Sequence, residues 1–294
     1  MSANPAIRPA PKPVLIAALW MAGAVASFLL MAVAARELSF KFHTSEIMFF
    51  RSALPFFVLL PLIWYFGLGS VATQRPGLQL TRNAVHFGAQ YCWILAVALI
   101  PLAEVFALEF TTPIFVALLA TAVLGEKLTS TRWLVVIGGF IGVLVIVRPG
   151  LAVFNPASVI ALTAALGFGG SVIMVKLLTR TDSAFAVVFW MTIMQVPMGA
   201  VPAWFVWQTP GWADAPWLIA MAATGLSAHY AMARALTLAD ATVTMPIDFC
   251  RLPLVAVLGY AIYSESIDPL VFLGAALIFA VNYYAVRQEA AKQG

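Results

Sequence analysis

The stretch TVTMPIDFCRLPLVA, residues Thr242 to Ala256, carries an acid, Asp248, a base, Arg251, and two prolines inside a long apolar run. The rest of the chain has the same apolar character. Of its 294 residues, 63% are hydrophobic and 10% are charged, and the mean hydropathy is +0.98. Soluble domains contain about 45–50% apolar and about 25% charged residues. The composition therefore excludes a soluble fold and predicts a membrane protein that crosses the bilayer many times.

Charged clusters and Pro/Gly turns divide the chain into ten apolar runs. Most of them reach the roughly 20 residues that a helix needs to cross about 30 Å of hydrocarbon. Spans must be helices or a closed barrel, because lipid offers no partner to backbone groups, and the two-residue alternation of barrel strands is missing from these runs. We therefore predict an all-α membrane protein with ten transmembrane helices. The runs cover residues 14–35, 46–66, 83–99, 101–124, 132–147, 157–177, 184–206, 216–237, 241–263 and 269–286.

Lysine and arginine indicate the orientation of these helices. They concentrate in the loops on the side of the N-terminus, for example at Arg75, Arg82, Lys127 and Arg180. Cytoplasmic loops carry such an excess, so both termini are predicted to be cytoplasmic, with tails at residues 1–13 and 288–294. The same bias accounts for the net charge of +4 without a nucleic-acid partner. The first apolar run is longer than the core of a signal peptide and is kept as a helix.

Two halves of the chain match at an offset of 139 residues. QYCWILAVAL (Gln90–Leu99) falls on HYAMARALTL (His229–Leu238), and Glu109 falls on Asp248. A unit of five helices is odd, so its second copy enters the membrane from the opposite side. The sequence thus predicts two inverted five-helix repeats, at 14–150 and 151–287. Such repeats are typical of secondary transporters, which bind substrate near the bilayer midplane between the halves.

Polar side chains inside the predicted helices are the candidate functional groups. A charge at the bilayer centre is costly, so such residues usually face a cavity or a partner. Arg51 lies close to the start of its helix, and we expect it to reach the interface or to pair with Glu46. The remaining candidates are His86, Gln90, Tyr91, Glu109, His229, Tyr230, Asp248 and Arg251.

Two interpretations of Asp248 and Arg251 stay open from the sequence. They are three residues apart and can pair with each other on one helix face, in which case their role is structural. Alternatively, one or both contact a charged substrate group or carry a proton. Glu109 has no partner at helical spacing. Prolines near Glu109 and Asp248 kink their helices and favour a position beside a water-filled cavity.

Several kinds of chemistry lack their sequence signals. There is no GxxxxGK[ST] loop for ATP, and HExxH and GxSxG are both missing. The three histidines are too scattered for a metal triad, and the two cysteines form no metal or disulfide pattern. We therefore predict no enzyme activity, no cofactor and no metal, and any energy coupling must use a gradient.

Several motifs resemble the EamA-type drug/metabolite transporter superfamily: EIMFFR (Glu46–Arg51), TTPIFVALLATAVLGEKLT (Thr111–Thr129) and RWLVVIGGFIGVLVIVRPG (Arg132–Gly150). Among its branches, the bacterial aromatic amino-acid exporters are the most similar. The resemblance implies a carrier in the bacterial inner membrane with a central cavity, and it assigns the eight candidate residues above to the substrate site. DFCRLP departs from the family pattern, because Arg251 stands where the first half has Thr112.

From these observations we predict a secondary transporter that exports amino acids or related small metabolites by alternating access. Its partners are the small-molecule substrate and the lipid bilayer, with protons as the candidate coupling ion. Three alternatives stay open: a carrier for other metabolites or drugs, such as nucleoside-like or adenosylated compounds; an intramembrane enzyme acting on lipid or isoprenoid groups; and a channel.

Overall fold

The computed structural model describes residues 12–125, 129–149, 155–239 and 241–293. Within these ranges the regular structure is entirely helical, and a short 3-10 turn at Leu68–Val71 precedes the third helix. The helices are α1 (Lys12–Ser39), α2 (Thr44–Phe66), α3 (Pro76–Leu99), α4 (Leu102–Glu109), α5 (Thr112–Leu124), α6 (Ser130–Val147), α7 (Ala157–Leu178), α8 (Ala184–Trp204), α9 (Ala215–Leu238), α10 (Ala241–Phe249), α11 (Arg251–Tyr263) and α12 (Pro269–Gln293).

Among the described residues, eight segments are long and apolar enough to cross a membrane: α1, α2, α4 with α5, α6, α7, α8, α10 with α11, and α12. The sequence-based expectation was ten. The two helices outside the eight are α3 and α9, which have 24 residues each. Helix α3 is long enough, but it buries Gln79, Arg82, Asn83, His86 and Gln90, and these side chains lower its mean hydropathy. A criterion based on mean hydropathy therefore misses such a helix. The helix can still cross a membrane, because protein rather than lipid covers its polar face.

The helix bounds repeat along the chain at the predicted offset. Ala215 and Leu238, the ends of α9, each stand 139 residues after Pro76 and Leu99, the ends of α3. The bounds of α11 follow those of α5 by the same 139 residues. The packing repeats as well, since α1 lies along α9 while their counterparts α7 and α3 lie along each other.

Small residues bring two of these helices into close contact. On α6, a Cβ added to Gly142 would lie 2.8 Å from the carbonyl oxygen of Gly274 on α12. A side chain at either glycine would collide with the opposite helix, so the two backbones approach as closely as GxxxG-type packing allows. The pair α6–α12 and the pair α2–α8 join equivalent helices of the two halves.

Two membrane segments are broken near their middle. The first break lies between α4 and α5 at Phe110–Thr111, and the second between α10 and α11 at Cys250. Pro113 and Pro253 each fall in the first turn after a break, where a missing backbone N–H is tolerated. The breaks place Glu109 at the end of α4 and Arg251 at the start of α11.

Asp182, in the connection between α7 and α8, links the two halves outside the membrane segments. Its carboxylate accepts hydrogen bonds from the Thr73 hydroxyl, from Gln79 Nε2 at 3.0 Å and from the backbone N–H of Gln74 at 3.2 Å. Burial acts to raise the pKa of the Asp182 carboxyl, but these hydrogen bonds outweigh it and hold that pKa below its ordinary value of 3.8.

We predict that Asp182→Asn lowers the melting temperature of the purified protein in detergent at pH 7. The lost hydrogen bonds correspond to about 1–3 kcal/mol of unfolding free energy. A carboxylate with a depressed folded pKa stabilises above its unfolded pKa, and this contribution is lost as the pH falls through the folded value. The gap between wild type and variant should therefore close below about pH 3.8. A gap that is constant with pH would contradict this account, and Thr73→Val should show a smaller loss.

Candidate functional site

A cavity of about 790 Å³ lies inside the helix bundle, and residues of both halves line it. Six of the eight site residues expected from the sequence face this cavity, which brings together groups from α3, α4, α9, α10 and α11. They are His86, Gln90, Glu109, His229, Asp248 and Arg251.

The other two expected residues, Tyr91 and Tyr230, do not line the cavity. Tyr91 packs beside the apolar core, and Tyr230 is 61% exposed on the outside of the bundle, edge-on to Trp20. Successive residues point about 100° apart on a helix. Because Gln90 and His229 face the cavity, the tyrosines that follow them point sideways.

Arg251 forms the centre of one wall. It is 4% exposed, and its guanidinium lies 3.5 Å from Glu109 Oε1 and 3.5 Å from Asp248 Oδ2. Trp93 Nε1 donates a hydrogen bond of 2.7 Å to the other oxygen of Glu109. The structure therefore gives Glu109 two partners that helical spacing did not predict, and Asp248 shares its arginine with a second acid.

Three aromatic rings hold the Arg251 guanidinium in place. Its central carbon lies 4.5 Å from the ring centre of Phe28 and 5.0 Å from those of Phe106 and Phe110. Cation–π contacts of this kind strengthen when water is excluded. The aromatic rings thus fix the position of the cation, while its ion pairs stay long.

The charges of this wall oppose the helix dipoles. Glu109 ends α4, where the dipole is negative, and Arg251 begins α11, where it is positive. Moreover, Nε and Nη1 of Arg251 and Oδ1 of Asp248 are buried without a hydrogen-bond partner among the described residues. An arrangement that stabilises neither helix and leaves donors unused is typical of a functional site rather than of a structural pair.

A second wall of the cavity is basic. Arg51 donates to Gln90 Oε1, and Arg82 donates from Nε to the Ser171 hydroxyl at 3.0 Å and from Nη1 to Asn83 Oδ1 at 2.8 Å. Both arginines are 7% exposed and line the cavity. All of these partners are neutral, so this wall carries two positive charges.

Two expectations about these arginines were wrong. Arg51 does not pair with Glu46, which caps the start of α2 and accepts hydrogen bonds from the backbone of His43 and Gln208. Arg51 follows Glu46 by five positions, so the two side chains do not share a helix face. Arg82 was counted among the charges of the cytoplasmic loops, but it lies within α3, is buried and faces the cavity. Its spacing of four residues from His86 was the signal for this position.

The cavity opens toward one end of the bundle and is closed at the other. Its lining reaches Arg132 at the start of α6 and Lys176 near the end of α7. At the closed end, Arg36 pairs with Glu265 at 2.9 Å and donates to the Ile100 carbonyl at 2.7 Å, and Glu265 accepts from the Leu102 N–H at 2.9 Å. Here α4 packs on α11, whereas in the described part of the chain the equivalent packing of α10 on α5 is marginal or missing.

The sequence profile of the EamA-like transporter family matches residues 15–148 and again residues 155–286. The chain belongs to the EamA-like transporter family. This confirms the resemblance seen in the sequence, and it makes the protein a multi-pass membrane transporter rather than an enzyme.

Curated relatives of this EamA-like protein are named for several substrates. The S-adenosylmethionine uptake transporter of Rickettsia prowazekii is 27% identical over 87% of both chains. The riboflavin transporter of Brucella anthropi is 30% identical over 83% of this chain and 88% of its own. The pseudopaline exporter of Pseudomonas aeruginosa is 26% identical over 86% and 89%. These names include both an uptake transporter and an exporter, and none of the three refers to amino-acid export.

One solved structure supports the fold of this family member. A crystal structure at 16% identity superimposes with a TM-score of 0.60 and covers 94% of this chain and 97% of its own. At that identity the likeness shows the fold alone.

A double-mutant cycle tests the wall around Arg251. We predict that Arg251→Gln lowers the melting temperature in detergent more than Glu109→Gln, because it leaves two carboxylates facing each other without a cation. Breaking a buried ion pair costs up to about 3–5 kcal/mol, and less where one partner is open to a cavity. The double variant should lose less stability than the sum of the single losses. Additive losses would contradict direct coupling.

Proposed function

We propose that this protein is a secondary carrier that moves a small organic metabolite across the bacterial inner membrane by alternating access. One observation carries the proposal: a charged cavity between the two halves is open at one end of the bundle and closed at the other. A channel would need a path open at both ends. The proposed site consists of His86, Gln90, Glu109, His229, Asp248 and Arg251, with Arg51 and Arg82 added.

In the proposed topology α3 and α9 also cross the membrane, which makes ten spans in two inverted repeats at residues 14–150 and 151–287. Both helices are long enough, at 24 residues, and they occupy equivalent positions. Gln79, Arg82, Asn83, His86 and Gln90 of α3 are buried, so these polar side chains need not meet lipid. The distribution of lysine and arginine supports cytoplasmic termini and a cavity that opens to the cytoplasm.

Symmetry suggests how the carrier alternates. The two halves match in their helices, but α4 packs on α11 without an equivalent packing of α10 on α5 in the described ranges. We propose that exchanging one contact for the other closes the cytoplasmic end and opens the outer end. Rocking of one repeat against the other around a fixed site is the usual motion of such carriers.

The cavity favours a substrate that combines an amino-acid head group with a larger apolar or aromatic part. Glu109 and Asp248 offer acceptors for an ammonium group, and Phe28, Trp93 and Phe168 offer aromatic surface. Its volume of about 790 Å³ lies within the range of about 300–1,000 Å³ that is typical of sites for drug-sized ligands. We therefore place adenosylated amino acids first and free amino acids second. We assign no net direction, because the named relatives include both uptake transporters and exporters.

Transport in proteoliposomes tests the substrate class. We predict saturable counterflow of labelled S-adenosylmethionine, weaker flux of tryptophan and phenylalanine, and loss of flux in Arg251→Gln. Runs with and without a pH gradient test protons as the coupling ion, with Glu109→Gln and Asp248→Asn as the variants. Saturable flux of riboflavin alone would reassign the substrate class. The absence of saturable flux for every compound would falsify the carrier function.

Cysteine labelling tests the closed end. In a Cys92→Ala, Cys250→Ala background, we place a cysteine in the cavity by Thr112→Cys and add a membrane-impermeant maleimide outside intact cells. We predict that Glu265→Gln raises the labelling rate at least threefold, because it removes the ion pair with Arg36 that holds the outer end shut. The matched control is Lys41→Gln, which removes an exposed ion pair with Asp214 at the same end. Equal labelling in Glu265→Gln and the control would rule out this role.

A further inference from the structure

The basic wall of the cavity holds more charge than its protein partners balance. Arg51 and Arg82 hydrogen-bond to Gln90, Ser171 and Asn83, and in the described part of the chain neither arginine forms an ion pair with a carboxylate. Both guanidinium groups line the same cavity and are largely buried. Arginine stays protonated in proteins. Two buried like charges therefore require an anion that the protein itself does not supply.

One edge of Arg51 is left free for such an anion. Its Nη1 donates to Gln90, whereas Nε and Nη2 make no hydrogen bond among the described residues. The latter two atoms face Gly225 on α9, and a Cβ added there would lie 3.6 Å from each of them. The Nε–Nη2 edge of a guanidinium is suited to binding both oxygens of a carboxylate or a phosphate. The absence of a side chain at Gly225 keeps this edge uncovered.

The position of Gly225 places this edge beside the cavity. Met221 and His229, one turn before and one turn after Gly225 on α9, both line the cavity. His86 on α3 also lines the cavity, and its ring nitrogen Nδ1 lies 3.0 Å from Gln195 Nε2. The arginine edge, the two histidines and the glycine thus border one region of the cavity.

We propose that Arg51 and Arg82, with Gly225 as the glycine that leaves room, form a subsite for the anionic group of the substrate, a carboxylate or a phosphate. The assignment rests on the proposed carrier function and deepens it. The basic wall binds the anion, and Glu109 and Asp248 bind a cationic group. The carrier then prefers zwitterionic metabolites to neutral ones, and it binds them in one orientation.

Matched pairs of probes that differ by one anionic group test the subsite. They are S-adenosylmethionine against its decarboxylated form, phenylalanine against phenylethylamine, and riboflavin 5′-phosphate against riboflavin. Dissociation constants are measured on purified protein in nanodiscs of neutral phosphatidylcholine, so that lipid phosphates of anionic headgroups do not compete. The wild type should bind the anionic member of at least one pair tenfold or more tightly.

Gly225→Ala is the sharpest variant, because it leaves every charge in place and makes only an ordinary contact with Arg51. We expect it to reduce the preference for the anionic probe at least threefold without weakening the other member of the pair. Arg82→Gln should reduce the preference further. The matched control is Gly88→Ala on α3, where an added Cβ meets nothing within 4 Å. A repeat in nanodiscs that contain phosphatidylglycerol identifies a lipid headgroup as the anion if it abolishes the preference of the wild type.

The outcomes separate this subsite from the carrier function. If the wild type binds both members of a pair equally, or if Gly225→Ala and Arg82→Gln leave the preference unchanged, the subsite is refuted while the carrier function stands. If the wild type binds no probe, the proposed substrate class fails, and thermal stabilisation by inorganic phosphate decides the subsite. If phosphate stabilises the wild type but not Arg82→Gln, the subsite is supported. If phosphate does not stabilise the wild type, the subsite is refuted.

Discussion

The constraint on which the rest of the structure depends is that charges inside the membrane must meet protein rather than lipid, and the ion pair between Glu109 and Arg251 is the place where it acts most directly. This ion pair joins the end of α4 to the start of α11, and so it ties the two helix breaks, one from each half, to each other. In hydrocarbon neither charge would be tolerated alone. The two breaks let both side chains leave their helices at the same place, and the aromatic rings around Arg251 keep lipid and bulk water away. The helix segments that carry these charges cannot face lipid. They therefore face the interior of the bundle, where the cavity lies.

The ion pair belongs to the packing of α4 on α11, which breaks the symmetry between the two halves. Helix bounds repeat along the chain at one offset, and the main contacts between the halves repeat as well, since α1 with α9 is equivalent to α7 with α3. The contact of α4 with α11 has no such counterpart among the described residues, where the packing of α10 on α5 is marginal or missing, and it lies at the end that Arg36 and Glu265 close. Two halves with nearly the same local structure can pack in two ways of similar energy, and a bistable interface of this kind is what a carrier needs.

The sequence predicts much of the fold, because apolar length and repeat spacing are local properties. Six of the eight expected site residues reach the cavity, because a polar group inside an apolar run is costly in lipid and therefore faces the protein interior. Tyr91 and Tyr230 did not follow, because an alignment of repeats reports equivalent positions and not the direction of a side chain. The partners of Glu109 could not be foreseen. Trp93 lies on another helix, and Arg251 comes from the other half of the chain.

Arg82 shows where a rule based on composition fails for a physical reason. The positive-inside rule counts each arginine near a predicted helix end as a surface charge. Arg82 instead turns inward, because Ser171 and Asn83 accept its hydrogen bonds and the cavity admits its charge. On the assignment of an anion subsite, this has a consequence for the transport cycle. Arg251 keeps its two carboxylates when the substrate leaves, but Arg51 and Arg82 keep only neutral partners. Closing an empty cavity would bury two unbalanced like charges, whereas closing it around a second anionic substrate would not. The charge distribution therefore favours exchange of one substrate for another over the return of an empty carrier.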